Sequence, residues 1–458
     1  MEENYSSEDR LTRALIVGVN LNSDPDFETS LSELESLAEA CHMEVVGVET
    51  QNVSQINTGV YVGTGKVDEI KAVAHMLEAD VVIFDNTLSP MQLRNLTEII
   101  DRPVYDRTNL ILRIFSSRAR TKEAQIQVET ARLQYELPRL TGLGTVLSRQ
   151  GGGSGSLSNR GAGETKLELD KRKIRHRISE LKKELKEIEK TRETQRKRRL
   201  GQGIPQVALV GYTNAGKSTL MNALIDRYEK QEDKKEERKV MAQDMLFATL
   251  DTTIRKIELP DKKEFLLSDT VGFINKLPHN LVQAFHSTLE EVRYADVLLE
   301  VIDYSDEHYP DHMRVTRDTL KELGADEIPC IYVFNKCDLV EKKDSDRLEE
   351  RNGVIHTNLQ EAAGREPFPT LPVIKGDSIY MAAGQGIGIE ELVSMISSHI
   401  YQDYVDCTML IPYTQGGLVS YFNENATVKN VEYLGEGTRI TMNCLLKDLQ
   451  KYKEYVEI

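Results

Sequence analysis

Val207-Ala208-Leu209-Val210-Gly211-Tyr212-Thr213-Asn214-Ala215-Gly216-Lys217-Ser218 sets the reading of the whole chain. Its last eight residues fit G-x-x-x-x-G-K-[ST]. An apolar strand pattern, 207–210, precedes them, and a helical pattern, 219–226, follows. The spacing has a mechanical reason. Glycines let the backbone wrap a phosphate with its N–H groups turned inward. The positive end of the following helix adds to the attraction. Lys217 can then reach the β- and γ-phosphates, and the Ser218 hydroxyl is placed as a Mg²⁺ ligand. An ordinary glycine-rich turn explains neither the flanking elements nor the Lys-Ser pair.

Two further strand-end motifs follow in order. The apolar run 265–267 leads through Ser268 to Asp269-Thr270-Val271-Gly272. A carboxylate there holds Mg²⁺ through water, and the Gly272 N–H can approach a γ-phosphate unobstructed. Asn335-Lys336-Cys337-Asp338 follows the strand pattern 330–334. Asp338 can accept from both N1–H and the exocyclic amine of guanine. Adenine lacks that donor pair, so GTP is expected over ATP. Between the first two motifs lies Leu246-Phe247-Ala248-Thr249-Leu250-Asp251-Thr252-Thr253. One threonine here should complete the metal shell only while a γ-phosphate is bound; spacing alone does not choose which. Ala382-Ala383, after the strand pattern 378–381, can offer a backbone N–H to the guanine oxygen. A serine is more usual at the position of Ala382, so a weaker base contact is expected.

The chain has 458 residues, 40% hydrophobic and 29% charged, with a formal net charge of −16. That composition suits a globular protein with a proper core, not a disordered chain. Cysteines lie at 41, 330, 337, 407 and 444 with no C-x-x-C pair, which reads as reduced thiols in a cytoplasmic protein. Residues 1–10 are acidic and polar and fit neither a signal nor a transit peptide. No apolar run is long enough for a membrane-spanning helix. The acidity is uneven. Residues 118–200 hold 22 Lys and Arg against 11 Asp and Glu, a net +11 that leaves −27 for the rest. Such asymmetry points to a polyanion-facing segment.

The expected class is α/β, in four parts. Residues 1–117 alternate short strands (14–19, 44–48, 79–85, 103–106) with helical patterns, as a small parallel α/β domain does. Residues 118–200 should form a helical hairpin. Ala124, Val128, Ala131 and Tyr135 make one stripe, and Ile174, Ile178, Leu181, Leu185 and Ile188 make a heptad seam. Pro138 weakens the first helix near its end. The tip, 150–163, has six glycines in 14 residues and suits no stable core element. A solvated coiled coil with a loose loop is the competing reading of this segment. Residues 201–400 form a P-loop GTPase domain, and 401–458 a small α/β appendage. Two other stretches carry less. Gly63-Thr64-Gly65-Lys66 lacks the first glycine and the final Ser/Thr of a phosphate loop and reads as a structural turn. Residues 230–239, nine of ten charged, read as an exposed insertion.

These residues together resemble the HflX family of ribosome-associated GTPases. The match runs through 211–218, 247–251, 269–273 and 335–338. Outside them, Arg118 to Leu140 looks like the family's signature helix. Ser154 to Glu168, with Gly161-Ala162-Gly163-Glu164-Thr165, resembles its glycine-rich loop, although Ala162 stands where proline is usual. Gly63-Thr64-Gly65-Lys66 recurs in its N-terminal domain. The resemblance implies GTP hydrolysis and binding to the large ribosomal subunit, with splitting of stalled or idle ribosomes. It selects Thr249 as the switch ligand, beside Ser218 and, through water, Asp269. Lys217, Thr249 and Gly272 are then the catalytic candidates, and a monomer is expected. In related GTPases an Asn at the position of Asn214 ligates K⁺; a hydrogen bond within the loop is the other reading of Asn214. The alternatives are an RNA-binding ribosome-assembly GTPase and a signalling GTPase that engages a protein through the coiled coil.

Overall fold

The computed structural model describes residues 10–22, 24, 26–142, 158–200, 204–228, 247, 250, 253–261, 263–276, 291–340, 370–401 and 404–457. Ala248, Thr249, Asp251, most of the glycine-rich tip and the charged run 230–239 lie outside them. The backbone groups into two compact units. One holds residues 1–198 with 243–251 and 271–289; the other holds 199–242, 252–270 and 290–458.

The first unit is built on a parallel sheet of β1 (Thr12–Leu21), β2 (Met43–Val53), β3 (Val81–Phe84) and β4 (Val104–Asp106), in the order β2-β1-β3-β4. The central strands read as near-continuous apolar runs because helices cover both faces. Helices α1 (Phe27–Ala40), α2 (Thr64–Met76), α3 (Pro90–Ile100) and α4 (Arg107–Arg118) connect and follow the strands. Leu15, Val17, Ile70, Phe84 and Leu96 share one core cluster. Helix α3 starts where Ser89 and Gln92 cap each other reciprocally, with Pro90 in the first turn. Helix α2 was not expected from the sequence. Its buried stripe is only Val67, Ile70 and Ala74.

The 118–140 stretch is broken. Helix α4 ends at Arg118, and the Thr121 hydroxyl accepts from Ala124 N to start α5 (Lys122–Glu136), which stops before Pro138. Helix α6 (Ser158–Leu200) runs 43 residues. It lies antiparallel to α5. Arg177 pairs with Glu129 at 3.0 Å, and Arg192 with Glu123 at 3.0 Å. Ile178 and Leu181 of the heptad seam are buried, and Ile174, Leu185 and Ile188 are half-buried. The hairpin is tied at its base. Tyr135 Oη donates to Asp106 Oδ1 at 2.7 Å, and Arg139 bridges Asp106 and the Tyr135 ring.

The second unit carries a seven-stranded sheet of β5 (Gln206–Val210), β6 (Thr253–Glu258), β7 (Glu264–Asp269), β8 (Val297–Asp303), β9 (Cys330–Asn335), β10 (Val373–Lys375) and β11 (Ser378–Tyr380). The order is β10-β11-β9-β8-β5-β7-β6. All pairings are parallel except those of the two edge strands, β6 and β10. Helices α7 (Lys217–Tyr228), α8 (Tyr309–Leu323) and α9 (Ile389–Ile400) belong to this part. The appendage is a three-stranded antiparallel sheet, with β14 (Gly437–Leu445) between β12 (Tyr404–Ile411) and β13 (Thr427–Leu434). Phe422, of the helix Gly416–Asn425, packs with Met409, Ile411, Ile440 and Met442. Among the described residues no helix is long and apolar enough to cross a membrane.

Candidate functional site

The parallel pairing explains why the motifs meet. β7, β5, β8, β9 and β11 point the same way, so their carboxyl ends share one edge of the sheet. That edge is where open α/β sheets hold ligands. Gly211 follows β5, Asp269 ends β7, Asn335 ends β9 and Ala382 lies just beyond β11.

The phosphate-loop backbone has the shape its glycines permit. Gly211 has φ +138°, and a Cβ there would lie 2.2 Å from the Val301 carbonyl oxygen. Gly216 has φ +94°, and its Cβ would lie 2.3 Å from Asn335 Nδ2. A side chain at 211 would have to move the Val301 backbone, one at 216 would have to displace the Asn335 amide, and both positive φ values strain any L-residue. Asn214 is the exposed, left-handed residue of the turn, φ +59°. The Thr213 hydroxyl is buried without a hydrogen-bond partner among the described residues. Lys217 is buried, and its Nζ donates to the carbonyls of Gly211 at 3.0 Å and Tyr212 at 2.7 Å. Burial pulls its pKa down to about 8, against the opposing pull of Asp269. Ser218 Oγ donates to Asp269 Oδ2 at 2.7 Å. A hydroxyl and a carboxylate at this separation form a hard-oxygen donor set that fits Mg²⁺. Thr270 Oγ1 donates to the Leu209 carbonyl at 2.7 Å, tying the end of β7 to β5.

Asn335 couples two other loops. Its Nδ2 donates to the Ala215 carbonyl at 3.0 Å, and its Oδ1 accepts from Ala383 N at 2.9 Å. Lys336, at φ +61°, pairs through Nζ with Asp303 Oδ2 at 2.8 Å. Cys337 is buried, its thiol donating to the Phe334 carbonyl. Asp338 is half-buried and accepts from Gln385 Nε2 at 2.8 Å. The Ala382 backbone is bridged to Ile387.

Val271 and Gly272, next in the chain after Thr270, fall with the first unit and are buried, as is Phe273. Phe247 and Leu250 are also buried there, and the Phe247 ring packs edge-on against Phe115 at 4.7 Å. The Gly63-Lys66 turn proves to be the start of α2. Its Lys66 pairs with Glu49 at 2.5 Å and Glu69 at 3.2 Å. Two site neighbours escaped the sequence reading. His312 of α8 stacks on Tyr212, 3.9 Å between ring centroids and 10° from parallel. Burial lowers its pKa, and Asp306 opposes that. Gln385 is the other, and only its closeness to Ala382 could have suggested it.

Comparison with known proteins gives three matching family models. Residues 28–116 match "GTP-binding GTPase N-terminal", 118–199 match "GTP-binding GTPase Middle Region", and 206–336 match "50S ribosome-binding GTPase". A protein of Caldanaerobacter subterraneus named GTPase HflX is 42% identical over 440 residues, covering 95% of this chain and 92% of its own. The Escherichia coli protein of that name is 38% identical over 432 residues, covering 94% and 92%. A solved GTP-binding protein of Sulfolobus solfataricus, in complex with GDP, is 24% identical with a TM-score of 0.41, over 86% of this chain and 99% of that one. Identity at this level, sustained over nearly the full length of the relatives, places the chain in the HflX family of GTPases.

Proposed function

We propose that this GTPase works in the cytoplasm as a monomer, binds the large ribosomal subunit and splits stalled or idle ribosomes. The observation that carries the proposal is the hairpin. Its apolar seam is turned inward, which leaves Arg172, Lys173, Arg175, Lys182, Lys183 and Lys186 exposed along α6. A rigid cationic rod of this kind suits the phosphate backbone of RNA. The description of the family matched by 206–336 supports the same partner.

In the proposed reaction a water oxygen attacks the γ-phosphorus of GTP in line. The new O–P bond forms as the bond to the β–γ bridging oxygen breaks, and GDP and phosphate leave. The amides of 211–216 and Lys217 hold the phosphates, and the Gly272 N–H meets the γ-phosphate. Asp338 and a backbone N–H of the loop 382–386 read the guanine. Ser218, Thr249 and, through water, Asp269 would hold Mg²⁺, which supplies positive charge to the β- and γ-oxygens when bound. Asn214 would hold K⁺ beside the same phosphates.

Co-sedimentation with large subunits over a salt series tests the partner, and incubation of intact ribosomes with GTP tests the outcome. Binding should fall steeply with salt, and subunits should separate. No binding at any salt concentration favours the signalling reading. Binding without separation leaves a ribosome-assembly GTPase. Deleting residues 151–163 should abolish splitting and leave free GTP binding intact.

A further inference from the structure

We propose that Gln385 is a positioning residue for guanine recognition, holding the Asp338 carboxylate in place. It supplies the side-chain donor that Ala382 cannot. The inference rests on reading Asp338 as the guanine-binding carboxylate. Gln385 Nε2 lies 2.8 Å from Asp338 Oδ2, 47 residues away in the chain. A carboxylate offers about four lone-pair sites. The N1–H and exocyclic amine of guanine use two, so the amide of Gln385 can occupy a third without displacing the base.

The backbone around Gln385 is fixed from several sides. Ala383–Gln385 is a single 3-10 turn. Gln385 N donates to the Ala382 carbonyl at 3.1 Å, Gly386 closes the turn at φ +71°, and Ala382 is bridged to Ile387. Ala383 N is held by Asn335, three residues before Asp338. Both ends of the Gln385–Asp338 hydrogen bond are therefore anchored to one node. An Asp338 side chain held this way loses less rotamer freedom when guanine binds. The weaker base contact expected from Ala382 is thereby offset.

The test measures GDP and ADP affinity for the full chain carrying Gln385→Ala, Gln385→Glu or Asp338→Asn. Gln385→Ala removes one hydrogen bond to a charged group at an exposed position, so the GDP:ADP affinity ratio should fall about three- to tenfold. Gln385→Glu keeps shape and length but replaces the donor by a negative acceptor, so the ratio should fall further. A residue that merely fills the turn would tolerate Glu as well as Gln. A Gln385→Glu ratio equal to the unaltered protein's overturns the inference. So does a rise in GDP affinity for Gln385→Ala, which would make Gln385 a competitor of the base. Asp338→Asn separates the levels. If it leaves the GDP:ADP ratio unchanged, the guanine reading itself fails. If it collapses the ratio while both Gln385 variants behave as the unaltered protein, only the role of Gln385 fails.

Discussion

Ser218 Oγ and Asp269 Oδ2 lie 2.7 Å apart although 51 residues separate them in the chain. The pairing of β5 with β7 sets this distance, since Leu209 sits opposite Asp269 and the phosphate loop starts two residues on. Both side chains are hard oxygen donors, and one ion can replace the proton they share. Ser218→Ala keeps the backbone cradle and removes one donor. In Mg²⁺ its GTP hydrolysis should fall by about 10²-fold, since metal stabilisation of transition-state charge is worth several kcal/mol. GDP affinity in excess chelator should stay within about twofold of the unaltered protein. Single-turnover rates and binding titrations check the two halves separately. Equal rates for both proteins in Mg²⁺ would remove Ser218 from the metal site.

Lys217 should make nucleotide binding pH-dependent. Burial lowers its pKa to about 8 from an ordinary 10.5. A bound polyphosphate adds negative charge and pushes that pKa back up. Binding at pH 9 should therefore take up close to one proton, and binding at pH 7 close to none. GDP affinity should weaken as pH rises above about 8. Calorimetry in buffers of different ionisation enthalpy reads the proton count directly. The same shift fixes the stability trend of the free protein. The unfolded chain binds the extra proton between pH 8 and 10.5, so this group adds stability as pH rises through that window. No proton uptake at pH 9 would show that Lys217 is charged before the nucleotide arrives.

How much could be read beforehand differs between elements for physical reasons. The strand 207–210 and the helix after the phosphate loop appear as β5 and α7 because apolar period and glycine spacing are local properties. The hairpin seam was visible because a heptad repeats within one helix. Helix α2 was not, since Val67, Ile70 and Ala74 alone give a weak stripe and Gly63-Lys66 drew attention to its first turn. The break at Thr121 was missed because a cap is a single residue inside a continuous helical pattern. At the candidate site the motifs name their own residues. The tie from Asn335 to Ala383, the Tyr212–His312 stack and the Gln385–Asp338 hydrogen bond join distant segments. Nothing in local spacing encodes them.

Glu300 sits on the buried strand β8, and its Oε1 has no hydrogen-bond partner among the described residues. Burial raises its pKa to about 7 from an ordinary 4.5, with Arg317 opposing the rise. The folded state thus binds a proton that the unfolded chain has lost. This contribution is fully present below pH 4.5 and is lost as pH rises through 7. Glu300→Gln stays neutral throughout. At pH 8 it should be more stable than the unaltered protein by roughly 2–3 kcal/mol. Its stability should also lose the downward slope between pH 4.5 and 7. Denaturant titrations at pH 5 and pH 8 check both statements. A less stable variant at pH 8 would mean that Glu300 is held as a carboxylate by partners that offset its burial.

Phe273 bears on how water is oriented for hydrolysis. Ras-like switches carry a glutamine just after D-x-x-G for that task. Here the position is Phe273, which is buried and has no hydrogen-bonding side chain. Backbone, a partner or a cation must then place the water, so intrinsic hydrolysis should be slow and large subunits should accelerate it. The cation part of the proposal concerns Asn214, exposed and left-handed at the turn of the phosphate loop. A monovalent ion there would offset charge developing between the β- and γ-phosphates. GTPase rates should therefore be higher in K⁺ than in Na⁺ at equal ionic strength, with and without large subunits. Asn214→Ala should remove that difference while leaving GDP affinity nearly unchanged. Equal rates in the two salts would dismiss K⁺ and leave Asn214 as a hydrogen-bonding residue of its own loop. A fast rate without ribosomes would overturn the larger claim, that Phe273 leaves this enzyme dependent on its partner.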